Sequence, residues 1–138
     1  MRYAYSLAKP IKGYVEWELQ HYHQRIAFLA DMKEALMPRM ASVLDSDGGS
    51  GGLSDTTADA AIRIATDEHI SRLEFKIAAV RRVVDAADDI DRTLISLRYW
   101  RQTHTVDGAA RAANISASAA YYRINKILCA IAKELGEI

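Results

Sequence analysis

The stretch "GAARAANISASAA", residues 108–120, holds seven alanines and constrains the fold more than any other part of the chain. Alanine favours helix without losing side-chain freedom, and a helix faced with methyl groups can lie close to a neighbour. Asn114, Ile115 and Ser116 interrupt the run. Asn tolerates the left-handed backbone that often ends a helix. Ile115 is suited to pin the turn to the core, and the Ser116 hydroxyl to cap a following helix. Thr105 caps the first helix, 106–113, with Asp107 favourably placed in its first turn. The second helix starts after Ser116 and runs to about Leu135, where Gly136 stops it. Two helices joined by a three- or four-residue turn, the first one short, describe a helix-turn-helix. Ala109, Ala110 and Ala113 then form the close contact between them.

Setting Ile124 inward and stepping about 100° per residue puts Ala117, Leu128 and Ile131 on the buried side of the last helix. Ala120, Tyr121 and Ile127 lie at its flanks, and whether Ala120 or Tyr121 faces the core stays open. The opposite side collects Ser118, Ala119, Tyr122 and Lys126, bordered by Arg123 and Asn125. Such a helix in a major groove would offer small residues first, then Tyr122 and Asn125 to base edges. Arg123 and Lys126 would lie near phosphates or guanines. Arg111, Arg101 and the N-terminus of the last helix would hold phosphates and fix the register. A second reading remains open, because alanine-rich helix pairs with polar outer faces also occur in bundles that never meet DNA.

Charge bears on that choice. The net charge is zero, yet residues 92–138 carry seven Lys/Arg against Asp107, Glu134 and Glu137, while residues 1–91 carry eleven basic and fifteen acidic residues. A polyanion responds to the local field of the last third, so the split favours nucleic acid.

The rest of the chain also reads as helix. Pro10 suits a first helical turn. Tyr14 or Val15, Leu19, Tyr22, Ile26, Leu29, Leu36 and Met40 then recur at mostly three- and four-residue steps, predicting one long helix over about 14–37 that Pro38 ends or kinks. "DSDGGSGGLSD", residues 45–55, is a Gly/Ser-rich linker with neither a P-loop Lys nor an EF-hand Glu. Asp55 or Thr56 can cap a helix whose small apolar face is Ala60, Ala61, Ile64 and Ala65. A long helix over 67–86 follows, with Ile70, Leu73, Ile77, Val80 and Val84 on one stripe. "DAADDID" breaks it and caps the next, in which Leu94, Ile95, Leu97 and Trp100 are apolar. No segment alternates with period two for long enough to be a strand. The expectation is an all-α chain: an N-terminal helical arm (1–44), the linker (45–55) and a helical domain (56–138) ending in the helix-turn-helix (106–135).

Half of the 138 residues are hydrophobic, enough for a packed core. No apolar run approaches the roughly 18 residues of a membrane span, and Met1 to Tyr5 do not resemble a signal peptide. The single Cys129 cannot form an internal disulfide, which fits a reducing cytoplasm. His21 and His23 point about 200° apart on a helix, and His69 and His104 have no partners at zinc spacing. Glu16, Glu18, Asp31 and Glu34 read as a solvated or partner-facing helix edge, and Cys129 as a small core residue. No catalytic constellation, metal site or cofactor site is expected.

"DRTLISLRYW", a loop, "VDGAARAANIS" and a long helix resemble the helix-turn-helix domain of bacterial sigma factors, their region 4. Together with a long N-terminal helix, a Gly-rich linker, "SDTTADAAIRI" and an amphipathic helix, the chain looks like the phage late-gene transcriptional regulators of the ArpU/RinA type. The resemblance covers roughly 50–135 by motif and the N-terminal helix by architecture. It implies a phage- or prophage-encoded DNA-binding activator of genes for packaging, morphogenesis or lysis, with double-stranded DNA and host RNA polymerase as partners. A homo-oligomer fits the common use of dimers on operators. Two alternatives stand beside it: a small terminase subunit bound to a packaging site, and a helical interaction module that does not read DNA.

Overall fold

The structure, a computed structural model, describes residues 5–36, 58–59, 61–65 and 67–138. These are all-α, with no strand among them. The elements are α1 (Lys9–Gln20), α2 (Tyr22–Leu36), α3 (Glu68–Ala86), α4 (Asp89–Ile95) continued by a π turn (Ser96–Trp100), α5 (Val106–Ala112) and α6 (Ala117–Glu134). Residues 58–59 and 61–65 are helical as well. The 45–55 linker, Pro38, Met40 and Ala60 lie outside the described residues.

Two compact units make up the chain: Met1–Tyr22 with Lys76–Ile138, and His23–Phe75. In the first, α4 with its π turn, α5 and α6 pack on one another, and α1 packs on both α6 and the π turn. The core is aliphatic and small. Leu94 and Ile95 of α4, Ala109 and Ala110 of α5, and Ala120, Leu128 and Ile131 of α6 are all buried, with Val15 and Leu19 of α1. In the second unit, Asp67 caps α3 by accepting the Ile70 N–H at 3.0 Å, and Lys33 pairs with Glu74 at 3.3 Å. All five residues of the predicted α3 stripe, Ile70, Leu73, Ile77, Val80 and Val84, are buried.

The N-terminal region departs from the single helix read from its spacing. Helix begins at Lys9, with Pro10 in the first turn, and is interrupted at His21. Side chains there compete for the backbone, an identifiable cause of helix breaks. His21 Nδ1 lies 2.8 Å from the Trp17 carbonyl and its ring stacks on Trp17. The Leu19 carbonyl accepts the Trp100 indole N–H at 3.0 Å.

The segment read as an arm also divides differently. Its first helix belongs to the unit of α4, α5 and α6, because the π turn docks it. That wider turn brings two consecutive rings onto α1. The Tyr99 hydroxyl donates to Glu16 at 2.8 Å, and Trp100, bonded to the Leu19 carbonyl, stacks on Tyr22 at the start of α2. Burial, then the Glu16 carboxylate, pushes the Tyr99 phenol well above its ordinary range. Glu16 is half-buried against Tyr99 and Glu18 buried, so of the two readings, solvated or partner-facing, the solvated one holds for neither. Asp31 and Glu34 are exposed.

Close α5–α6 packing yields a directional expectation. Ala110 is buried and Ala112, on the same helix, is exposed. Ala110→Leu is expected to lose about 1–3 kcal/mol by overpacking, and Ala112→Leu less than about 0.5 kcal/mol, measured by urea unfolding of the two variants.

Candidate nucleic-acid interface

The α5–α6 pair is built by capping at each end. Thr105 Oγ1 accepts the Gly108 N–H at 3.1 Å and opens α5. The close of α5 is a Schellman turn. Ile115 N–H returns to the Ala110 carbonyl at 3.0 Å and Asn114 N–H to Arg111 at 3.1 Å, while Asn114 takes the left-handed conformation at φ 58°. Ser116 Oγ then accepts the Ala119 N–H at 3.1 Å and starts α6. Ile115 is half-buried beneath the turn. At the far end Gly136, at φ 79°, closes α6 in the same way: Glu137 N–H reaches Ala132 at 2.9 Å.

The register of α6 follows from its burial. Ala120, Ile124, Ile127, Leu128, Ile131 and Ala132 face the core. Ala120 is fully buried while Tyr121 is 41% exposed, which decides between the two. Ala117, projected inward, is exposed. It is the first residue of α6, and helical side chains lean toward the N-terminus, so its methyl points past the packed turns.

The outward side forms a groove of about 640 Å³ lined by Ser118, Ala119, Tyr122, Arg123, Lys126, Asp88 and Asp91. Four of the expected DNA-facing residues therefore meet: Ser118, Tyr122, Arg123 and Lys126. Asn125 is half-buried and does not line the groove. Arg101 and Arg111 are exposed away from it, and Arg101 borders a separate cleft with Arg92, Thr93 and Ser96.

Arg123 does not reach outward as its position suggested. Its Nη1 donates to Asp88 Oδ2 and to Asp91 Oδ1, each at 3.0 Å. The two carboxylates raise its pKa further, Asp91 first. Asp88 is already the N-cap of α4, accepting the Asp91 N–H at 2.8 Å. That bond, then Arg123, lowers the Asp88 pKa. Arg123 thus ties α6 to the first turn of α4. Lys126, Arg101 and Arg111 have no ion pair among the described residues.

Tyr122, 44% exposed, is backed by Tyr5, whose ring meets it edge to face at 5.6 Å and 66°. Such pairs add roughly 0.5–1.5 kcal/mol beyond area burial. Asp88, Asp91 and Tyr5 were not singled out from sequence as part of this surface. The acidic run reads from sequence as a helix break and cap, and Tyr5 carries no signal of where its ring lies.

The remaining candidates fall elsewhere. His21 bonds the Trp17 carbonyl, and His104 Nδ1 lies 2.8 Å from Thr103 Oγ1. Burial raises the Cys129 thiol pKa, partly offset by the Ser6 backbone, which lowers it. No group of three or more His, Cys, Asp or Glu among the described residues is arranged to hold a metal. None of the described helices is long and apolar enough to cross a membrane. No protein-family model matches the chain, and neither a curated protein nor a solved structure matches it.

The capping bond from the Asp91 N–H, and then the Arg123 contact, give stability a definite pH dependence through Asp88. A carboxyl with a depressed folded-state pKa contributes stability that is fully present above its unfolded value and is lost as pH falls through the folded value. Asp88→Asn keeps a capping oxygen but removes the titration. The drop in melting temperature between neutral pH and about pH 3, on the acid side of the ordinary carboxylate range, is therefore expected to be smaller in Asp88→Asn than in the wild type.

Proposed function

We propose that this chain is a DNA-binding transcriptional regulator that enters the major groove with the first turns of α6. The observation that carries the reading is the outward face of α6. Behind a tight, doubly capped turn it presents Ser118, Tyr122 and Lys126 together, with Arg123 tied back on one side. Recognition helices of helix-turn-helix proteins contact bases through their N-terminal residues. On this reading Tyr122 and Ser118 approach base edges, Asn125 lies at the border, and Lys126, Arg111 and Arg101 contact phosphates.

The resemblance to sigma region 4 and to ArpU/RinA-type regulators extends the proposal to a phage or prophage activator of late genes. It would act in the bacterial cytoplasm with host RNA polymerase, as a monomer or a homo-oligomer, and would catalyse no reaction. Asp88 and Asp91 in the same groove favour the second reading, a helical interaction module that does not read DNA. A small terminase subunit would differ by forming a ring, visible in the molecular mass in solution.

The test is selection from a random duplex pool, followed by titration of the selected duplex at two salt concentrations. Site-selective binding is expected. Lys126→Ala should weaken binding to all duplexes and reduce the salt slope by about one unit. Tyr122→Ala should cost about 1–3 kcal/mol on the selected duplex alone. If no duplex is enriched, or if a variant carrying both Tyr122→Ala and Lys126→Ala binds as the wild type does, the interaction module is the better reading.

A further inference from the structure

The geometry points to Tyr5 as a positioning residue for sequence discrimination: the N-terminal segment is part of the reading surface and holds the Tyr122 ring in one orientation. The inference rests on the DNA-binding reading of α6. An exposed aromatic side chain on a helix ordinarily has two accessible χ1 wells. A ring that moves between them contacts a base only part of the time. At Tyr122 that freedom is restricted by the edge-to-face contact with Tyr5.

The residues that follow Tyr5 hold it beside α6. The backbone of the next residue, Ser6, lies against the Cys129 thiol, whose pKa it lowers. Two residues after that, Ala8 is the N-cap of α1, and the Lys12 N–H returns to the Ala8 carbonyl at 2.9 Å. α1 in turn packs on α6. Cys129 and Tyr122 are seven residues apart, about 20° from each other around the axis, so the segment runs along the outward stripe of α6.

The stripe is therefore divided. Its second half, from Cys129, meets the N-terminal segment, and its first half, through Lys126, stays open. Around the axis, Arg123 lies on the side of Tyr122 away from Cys129. Tyr122 stands between two fixed neighbours, Tyr5 on one flank and the Arg123–Asp88–Asp91 network on the other. Arg123 anchors the backbone of the reading helix, and Tyr5 sets the direction of its reading side chain.

The experiment compares wild type, Tyr5→Ala, Tyr5→Leu and Tyr5→Phe on the duplex selected above and on its single-base variants, at two salt concentrations. Tyr5→Phe keeps the ring edge and is expected to discriminate as the wild type does. Tyr5→Ala is expected to lose about three- to tenfold of the preference for the selected duplex, the factor matching one aromatic pair. Its salt slope should not change, since no phosphate contact is removed. Tyr5→Leu keeps apolar bulk without a ring and should lose the same preference at an unchanged melting temperature. That separates positioning from folding. Undiminished preference in both Tyr5→Ala and Tyr5→Leu overturns the role of Tyr5 and leaves the DNA reading in place. An equal loss on every duplex also overturns it. Failure of the wild type to prefer any duplex removes the DNA reading and this inference together.

Discussion

The packing of α5 on α6, with alanines buried on each, is the constraint on which the rest of the first unit depends. Ala109, Ala110 and Ala120 are at most 1% exposed. Side chains this small favour the short end of the roughly 8–10 Å range of helix separations. A short helix making so close a contact has little freedom to roll, because larger neighbours would have to enter space that is filled. The turn must then reverse the chain within a few residues. Asn114 in the left-handed region and the two bonds back to Ala110 and Arg111 do this. Once Ala120 and Ile124 are turned inward, helical geometry sends Ser118, Tyr122 and Lys126 outward. The outward face of α6 is thus a consequence of the alanines on the inward one.

Around that pair, polar groups determine where α1 sits. A buried hydroxyl or indole N–H without a partner costs about 1–3 kcal/mol, so Tyr99 and Trp100 can turn inward only where acceptors exist. α1 supplies them, Glu16 for one and the Leu19 carbonyl for the other. In a regular helix consecutive side chains diverge by about 100°, which would send one ring away from α1. The π turn relaxes that requirement, in keeping with the use of such turns at special sites. α1, placed in this way, carries the preceding residues onto α6 and brings Tyr5 to Tyr122.

Much of this was legible in the sequence, for local reasons. Thr105 and Ser116 as caps, Asn114 and Gly136 as left-handed residues, and the 3.6-residue stripe of α3 depend on side chains within a turn or two of one another. Spacing reports such relations directly. The break at His21 was not legible, since it involves an indole that lies 81 residues beyond the Leu19 carbonyl it bonds. Arg123 shows the same limit at the candidate site. Helical projection places it correctly at the border of the outward face, yet its partners sit 35 and 32 residues earlier. An acidic run next to a helix start reads as a cap whether or not it also holds an arginine. Ala120 and Tyr121 were ambiguous because both lie at the flank of the apolar sector, where the angle alone does not decide.

Tying back Arg123 changes the electrostatics of the proposed interface. With two carboxylates against one guanidinium, that network repels phosphate, and Lys126 is the cation left in the groove. Adding Arg101 and Arg111 gives three cations among the expected phosphate contacts of one chain. At about 0.9 units of salt slope per contact, a monomer would bind with a slope near −3. Its affinity would then fall only about 40-fold between 50 and 200 mM salt, against roughly a thousandfold or more for proteins with six to ten contacts. Two chains on one operator would double the contacts and enter that steeper range. The slope therefore reports how many copies read the site. A weakly cationic monomer of this kind would depend on a second chain, or on a protein already bound to the promoter, to hold its place on DNA.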